Sequence, residues 1–223
     1  MIETDVQRDV RADTKERILD VAERLFARHG YAQTSLRRIT SEAGVNLAAV
    51  NYHFQSKDAL VRAVLLRRIK PLNEQRLARL DALESAAGGA PIPIEELLTA
   101  LLEPVMEMME RESAASSFPK LMARTYVEPG DLFARVIGPL MAPIGERFRP
   151  ALARSLGTAS EIDVAWGLHL TIGAMLHFLG ASAMLEFISQ GRADVRDTRA
   201  ALRRLVSYAS AGMRALVAKE MHA

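Results

Sequence analysis

"SEAGVNLAAVNYHFQSKDAL", Ser41 to Leu60, follows a glycine turn with two alanines, an asparagine, a tyrosine and a histidine before apolar helical spacing resumes at Leu60. Half of the segment is unsuited to a hydrophobic core. Asn46 is placed to cap a helix running from Leu47 to Phe54. At about 100° per residue, turning Val50 inward puts Phe54 beside it and Leu47 within reach, so these three are expected to hold the helix to its neighbours. Tyr52 and Ala48 then point directly away, with Ala49 and Asn51 on the flanks. The segment therefore predicts a helix with one anchored face and one open face that is small and polar.

Helical signals surround it. Thr34 reads as the N-cap of a short preceding helix with Leu36, Ile39 and Ala43 inward and Gly44 at its end. Farther upstream, Ile18, Val21, Ala22, Leu25 and Phe26 form one apolar stripe. Asp13 with Glu16 resembles a capping box, and Gly30 a stop, which predicts a first helix over about Thr14–His29. Downstream, Ser56 caps a helix with the stripe Leu60, Val61, Val64, Leu65 and Ile69, which Pro71 is expected to kink or break. No alternating strand pattern of any length occurs.

Two short helices joined by a glycine-containing turn, the second with an open face, make a helix-turn-helix, whose second helix fits the major groove of double-stranded DNA. Alanines at 48 and 49 let the backbone approach base edges, and their methyls match a thymine methyl. Thr34, Ser35, Arg37, Arg38, His53 and Lys57 fall at helix starts or edges, where phosphates lie. Asn46, Leu47, Ala48, Ala49, Asn51 and Tyr52 complete the candidate DNA-contacting set. Asn51 has two roles open to it, a bidentate pair with adenine or a phosphate contact.

Charge distribution agrees with a polyanionic partner. The net charge of the 223 residues is only +2, yet Arg11 to Lys70 hold 12 basic and 6 acidic side chains. The remaining positions are net acidic, so the basic excess sits in the N-terminal third. Cysteine is absent, which excludes disulfides, thiolate zinc sites and thiol nucleophiles and fits a reducing compartment. "MIETDVQRDVRADTKERIL" is charged throughout and lacks a signal peptide's apolar run, so the protein is expected in the cytoplasm.

The segment "TKERILDVAERLFARHGYAQTSLRRITSEAGVNLAAVNYHFQSKDALVRAVL", about Thr14 to Leu65, resembles the N-terminal domain of the tetracycline-repressor (TetR) family. The resemblance rests on Ala22 to Phe26, Gly30-Tyr31, Thr34, Ile39, Ala43-Gly44-Val45, His53-Phe54 and Ser56-Lys57. Many members carry a phosphate-binding tyrosine three residues before the phenylalanine; here that position is Asn51, with tyrosine at 52. The backbone contact can then come from Tyr52 or His53. The resemblance implies an all-α protein, with a three-helix DNA-binding head over 12–56 and a larger helical ligand-binding and dimerisation domain over 57–223. It also implies a ligand-responsive regulator, a repressor rather than an activator; a DNA-binding regulator without a small-molecule ligand is the alternative.

The remaining two thirds are read from their own residues. "ESAAGGAPIPIEE", Glu84 to Glu96, is a small, proline-punctuated loop. Leu98, Leu101, Leu102, Val105 and Met109 then keep helical spacing, and the prolines at 119, 129, 139, 143 and 150 divide the next stretch of chain into short pieces. Met106, Met109, Phe118, Met122, Tyr126 and Phe133, together with Trp166 and His169, are the candidate contacts of a small apolar or amphipathic effector, because methionine and aromatics make a soft wall. Methionines at helical spacing also serve as plain core. Arg111 and Arg124 are placed to receive an anionic head group.

"VAWGLHLTIGAMLHFLGASAML", Val164 to Leu185, is uncharged for 22 residues. Polar His169, Thr171, His177 and Ser182 and the lack of an aromatic belt or basic flank argue against a membrane span. Gly173 and Gly180 lie on one face and admit a close helix. With the last helix, carrying Leu202, Leu205, Val206, Ala209, Met213, Leu216 and Val217, the segment offers more apolar surface than one small domain hides. A homodimer through the last two helices, as a two-fold four-helix bundle, is expected. No HExxH, GxSxG or glycine-rich phosphate loop occurs, and His169 and His177 are eight apart rather than four. Catalytic residues, metal sites and cofactors are therefore not expected.

Overall fold

A computed structural model describes residues 2–111, 116–127, 131–157 and 159–220, with side chains for all of these except 2–12, 127, 133, 182 and 218–220. The described residues are helical, with no strand among them: α1 Ile2–Gln33, α2 Leu36–Ala43, α3 Leu47–Phe54, α4 Lys57–Ala87, α5 Ile94–Arg111, α6 Phe118–Val127, a π-helical turn Phe133–Ile137, α7 Gly138–Leu156, α8 Glu161–Gly180, α9 Ser182–Ile188 and α10 Thr198–Glu220. They form two compact units.

The first unit comprises residues 1–70 and 117–140. Its core takes Ile18, Val21, Ala22, Leu25 and Phe26 from α1, Ile39 from α2, Val50 and Phe54 from α3, and Leu60, Val61, Val64 and Leu65 from α4. The apolar stripes read from the sequence thus face one another. The first helix, however, begins at Ile2 rather than Thr14; Asp13 makes a one-turn ion pair with Arg17 at 3.6 Å inside α1 instead of starting it. Gly30 does interrupt the helix, with φ of 82°, a conformation that costs an L side chain steric strain. α6, from the middle of the chain, lies along α1 in this unit.

The second unit comprises residues 71–116 and 141–223. Here α10 packs against both α5 and α8. At Gly167 the two helices pack tightly: a Cβ there would lie 2.7 Å from Met213 Cγ. Gly173, by contrast, has nothing within 4 Å and faces outward. Arg76, 5% exposed, donates from Nε to the Leu101 carbonyl at 2.8 Å and from Nη1 to Asn73 at 2.9 Å, a buried cation whose donors tie α4 to α5. Arg147 reaches Asp81 at 2.6 Å and Glu84 at 2.8 Å, joining α7 to α4.

Pro71 does not break α4, which continues to Ala87; Leu72, Arg76 and Leu80 are buried beyond it. A mid-helix proline costs ~3 kcal/mol, and that burial is large enough to carry it. Pro143 and Pro150 likewise sit inside the continuous α7, whose Ile144, Phe148, Ala151 and Leu152 are buried. The chain is less divided by proline than its sequence suggests.

Candidate nucleic-acid interface

The ends of α2 and α3 are fixed by local hydrogen bonds. Ser35 caps α2, its Oγ accepting the Arg38 N–H at 3.2 Å. Gly44 closes the helix at φ 64°, and the Val45 N–H returns to the Thr40 carbonyl at 3.0 Å. Asn46 then begins α3, its Oδ1 accepting the Ala49 N–H at 2.8 Å. Gln55 ends α3 at φ 65°, and Ser56 Oγ accepts the Ala59 N–H at 3.0 Å as α4 starts.

Thr34 does not cap α2, and its candidacy as a phosphate contact fails. It is fully buried, and its hydroxyl donates to the Gly30 carbonyl at 2.7 Å, closing the bend at the end of α1. The cap falls one residue later, at Ser35, which is extended and exposed, whereas Thr34 is buried. Leu47 is also displaced from its expected place as an anchor, being 41% exposed, so the buried face of α3 narrows to Val50 and Phe54.

The opposite face is open. Ala48, Asn51 and Tyr52 are exposed, Tyr52 by 69%, and Ala49 is half-buried. His53 is half-buried with its ring edge-on to Tyr52, centroids 5.1 Å apart. Arg37 and Arg38 are exposed on α2, Arg38 paired with Glu42 at 3.2 Å. Lys57 is half-buried and spans the unit from α4: its ammonium lies 4.2 Å above the Tyr31 ring and 3.4 Å from the Ala32 carbonyl. A narrow strip of small and amide side chains flanked by cations has the chemistry to meet base edges, with phosphates at its margins.

Long-range contacts brace this head, and none has a sequence signal. Tyr31 donates its hydroxyl to Asp58, whose other oxygen accepts from Arg135 Nε at 3.2 Å. Burial and the bond to Asp58 push the Tyr31 phenol up to about 12. Arg124, far along the chain, donates to the backbone carbonyls of Arg28 at 3.2 Å and His29 at 3.3 Å, so its cation sits against the end of the helical run before Gly30 rather than in an effector site. Burial of the His29 ring, with Arg38 and Arg28 nearby, holds it below the usual histidine range. Arg67 gathers Glu16, Asp20 and Glu23 at 3.0, 2.7 and 2.8 Å, and Arg68 adds a second contact to Glu23. Burial opposes the Arg67 charge, but three carboxylates outweigh it and raise its pKa.

The candidate effector residues fall on both units. Met106 is buried and Met109 half-buried on α5 of the second unit, whereas Phe118 is buried and Met122 and Tyr126 half-buried on α6 of the first. Trp166 and His169 are exposed on α8, their rings edge-on at 6.1 Å. The Phe133 side chain lies outside the described residues. Met106 does line a groove of about 620 Å³ between α5 and α10, with Thr99, Leu202, Val206 and Ser210. Its carboxylates are matched by guanidinium groups: Glu103 and Glu107 by Arg79, and Glu95 by Arg214 at 2.6 and 2.8 Å. The bond from Arg214 holds the Glu95 carboxyl down at about 2.

Residues 18–64 match the family of bacterial regulatory proteins, tetR family, and residues 99–212 match the Tetracyclin repressor-like, C-terminal domain. The second match alone covers more than half of the chain. The chain belongs to the TetR family. Members of this family are helix-turn-helix transcriptional regulators, commonly repressors, and not enzymes. The HTH-type transcriptional regulator AcrR of Shigella flexneri is 34% identical over 93 residues, 41% of each chain. The chain spans less than half the length of the curated relatives it matches. Among solved structures, the fatty acid degradation regulator FadR from Bacillus halodurans has a TM-score of 0.59 at 14% identity, over 88% of this chain and 98% of that one. The SmeT–triclosan complex has a TM-score of 0.58 at 20% identity, over 88% and 91%. These two likenesses establish the fold.

Proposed function

We propose that this TetR-family protein is a cytoplasmic repressor that binds a palindromic operator as a homodimer and is released by a small apolar or amphipathic molecule. The observation that carries the DNA-reading part is the exposure of Ala48, Asn51 and Tyr52 on a helix held from behind by Val50 and Phe54. In functional terms, residues 12–56 read DNA and 57–223 bind ligand and a second copy. Ser35, Arg37, Arg38, His53 and Lys57 hold phosphates. Asn46, Leu47, Ala48, Ala49, Asn51 and Tyr52 face the groove. Two such heads meet half-sites ~34 Å apart along the duplex, and phosphate neutralisation makes the affinity salt-dependent.

The outward face of α8 supports the homodimer. Ile162, Trp166 and Leu170 are each more than half exposed on it, beside Gly173 and His177. α8 is the one helix among the described residues long and apolar enough to cross a membrane by length and composition. We assign its open face to a second copy instead, because Glu161 and Asp163 sit in its first turn and its other face is packed on α10. Release then needs a ligand whose coupling to DNA binding is ~1–3 kcal/mol, transmitted through α4, a single helix that contributes residues to both units.

The alternative is a DNA-binding regulator without a small-molecule ligand. Two experiments separate the readings. Footprinting at low salt across the gene's own neighbourhood is expected to give a palindromic protected site; no protection sinks the DNA-reading proposal. Thermal-shift screening against lipophilic compounds, followed by DNA release with each hit, is expected to yield a releasing ligand; stabilisation by none favours the ligand-free regulator.

A further inference from the structure

We infer that Arg135 is a positioning residue for DNA binding: through Asp58 and Tyr31 it holds Lys57 where a phosphate of the duplex meets it. The inference rests on the phosphate contact proposed for Lys57 above. Arg135 lies 77 residues beyond Asp58 in sequence, outside the 12–56 head, yet its Nε donates to one Asp58 oxygen at 3.2 Å. The other oxygen accepts the Tyr31 hydroxyl. Tyr31 in turn offers its ring face to the Lys57 ammonium, 4.2 Å from the centroid, and the Ala32 carbonyl accepts from the same ammonium at 3.4 Å. A lysine head on a flexible four-carbon stem has no fixed place of its own. The ring and the carbonyl give Lys57 one, and the bonds to Asp58 fix the ring.

The placement of charge makes this more than a brace. Asp58 is the acidic side chain in the first turn of α4 and follows Lys57 directly. Left unmatched, its carboxylate would set a bare anion beside the phosphate contact and repel the duplex. The Arg135–Asp58 pair is 43% exposed on both sides, and an ion pair so open to water contributes little to stability. Its consequence falls on its neighbours instead. The segment that delivers Arg135 is held for that purpose. In and before the π-helical turn Phe133–Ile137, Leu132, Val136 and Ile137 are buried while Arg135 is exposed. Asp131 pairs with the Arg135 guanidinium, and its carbonyl accepts the Arg135 N–H at 2.9 Å. π-helical turns are rare and recur at functional sites.

The test uses the full chain and a fluorescein-labelled duplex of arbitrary sequence, because a phosphate contact does not depend on sequence. Affinities are measured across a salt series and referred to the folded fraction given by circular dichroism. Lys57→Ala is expected to weaken binding ~tenfold and to make the salt slope shallower by about one. Arg135→Ala is expected to weaken it ~fivefold, and to add less than ~twofold to the loss already made by Lys57→Ala. In an Asp58→Asn background, where no carboxylate remains to be matched, Arg135→Ala is expected to change binding by less than ~twofold. Should Arg135→Ala not fold, Tyr31→Phe, which keeps the ring and drops the bond to Asp58, carries the same expectation in the same cycle. Wild-type affinity in Arg135→Ala, losses from Lys57→Ala and Arg135→Ala that multiply, or an Arg135→Ala loss that persists in Asp58→Asn each overturn the proposal. Lys57→Ala binding as tightly as wild type removes the phosphate role of Lys57 and the proposal with it, while DNA reading by α3 stands. A wild type that binds no duplex at low salt removes the DNA reading itself.

Discussion

The recognition segment and the α8–α10 layer both present an open face, but the faces are built differently. α3 keeps two anchors inside and turns alanine, asparagine and tyrosine outward, a surface that water and DNA solvate equally well. α8 and α9 turn isoleucine, tryptophan, leucine, methionine and phenylalanine outward, a surface that water does not solvate well. The first is complete as a folded object and awaits a polar partner. The second leaves large apolar side chains in water, the surface on which the proposed homodimer rests. Exposure alone therefore does not assign a partner; the chemistry of what is exposed does.

The largest effect expected from breaking this contrast is on the hidden side of α3. Phe54→Ala is expected to cost ~3–5 kcal/mol of unfolding free energy, read by urea denaturation. A loss below about 1 kcal/mol would mean that α3 is not anchored as described. On α8 the exposed side carries the weight. Trp166→Glu is expected to weaken dimerisation ~hundredfold or more while the monomer keeps its helix content, measured by sedimentation and circular dichroism together. Retained dimerisation would break the comparison outright.

Smaller effects sharpen it. Asn51→Ala is expected to leave the melting temperature in place and cost ~1–3 kcal/mol of operator binding. If the loss is uniform across operator variants, Asn51 holds a phosphate; if it falls at one base pair, Asn51 reads a base. Asn46→Ala removes the cap of α3 and is expected to destabilise by ~1 kcal/mol, visible in the same denaturation series. The smallest change is at Glu95. Its folded carboxyl is held down at about 2, below the ordinary 4.5. The Arg214 pairing therefore stabilises above pH 4.5 and is lost as pH falls toward 2. Glu95→Gln is expected to lower stability slightly at neutral pH, with the difference from wild type shrinking over that window. A pH-independent difference would place the effect elsewhere.

Legibility tracks the range of the interactions. α2 and α3 are readable because their limits are set within a few residues, by Ser35, Gly44, Asn46 and Ser56. Even there a cap moves by one position, since Thr34 and Ser35 carry the same chemistry and only burial separates them. The start of α1 is not legible because the residues of a cap pattern, Asp13 and Glu16, serve equally well inside a longer helix, where Asp13 pairs with Arg17 one turn on and Glu16 with Arg67. Prolines 71, 143 and 150 look like breaks because the burial that outweighs them involves residues distant in sequence.

By itself the sequence determined the helical class, the helix-turn-helix and its open face, because each depends on periodicity and caps within one or two turns. Tertiary structure alone decided that Arg124 and Arg135 brace the head, that Gly167 rather than Gly173 meets a helix of the same chain, and that the methionine and aromatic residues are distributed over two units. Those outcomes depend on which surfaces meet across tens of residues, and a side chain's partner at that distance leaves no local pattern.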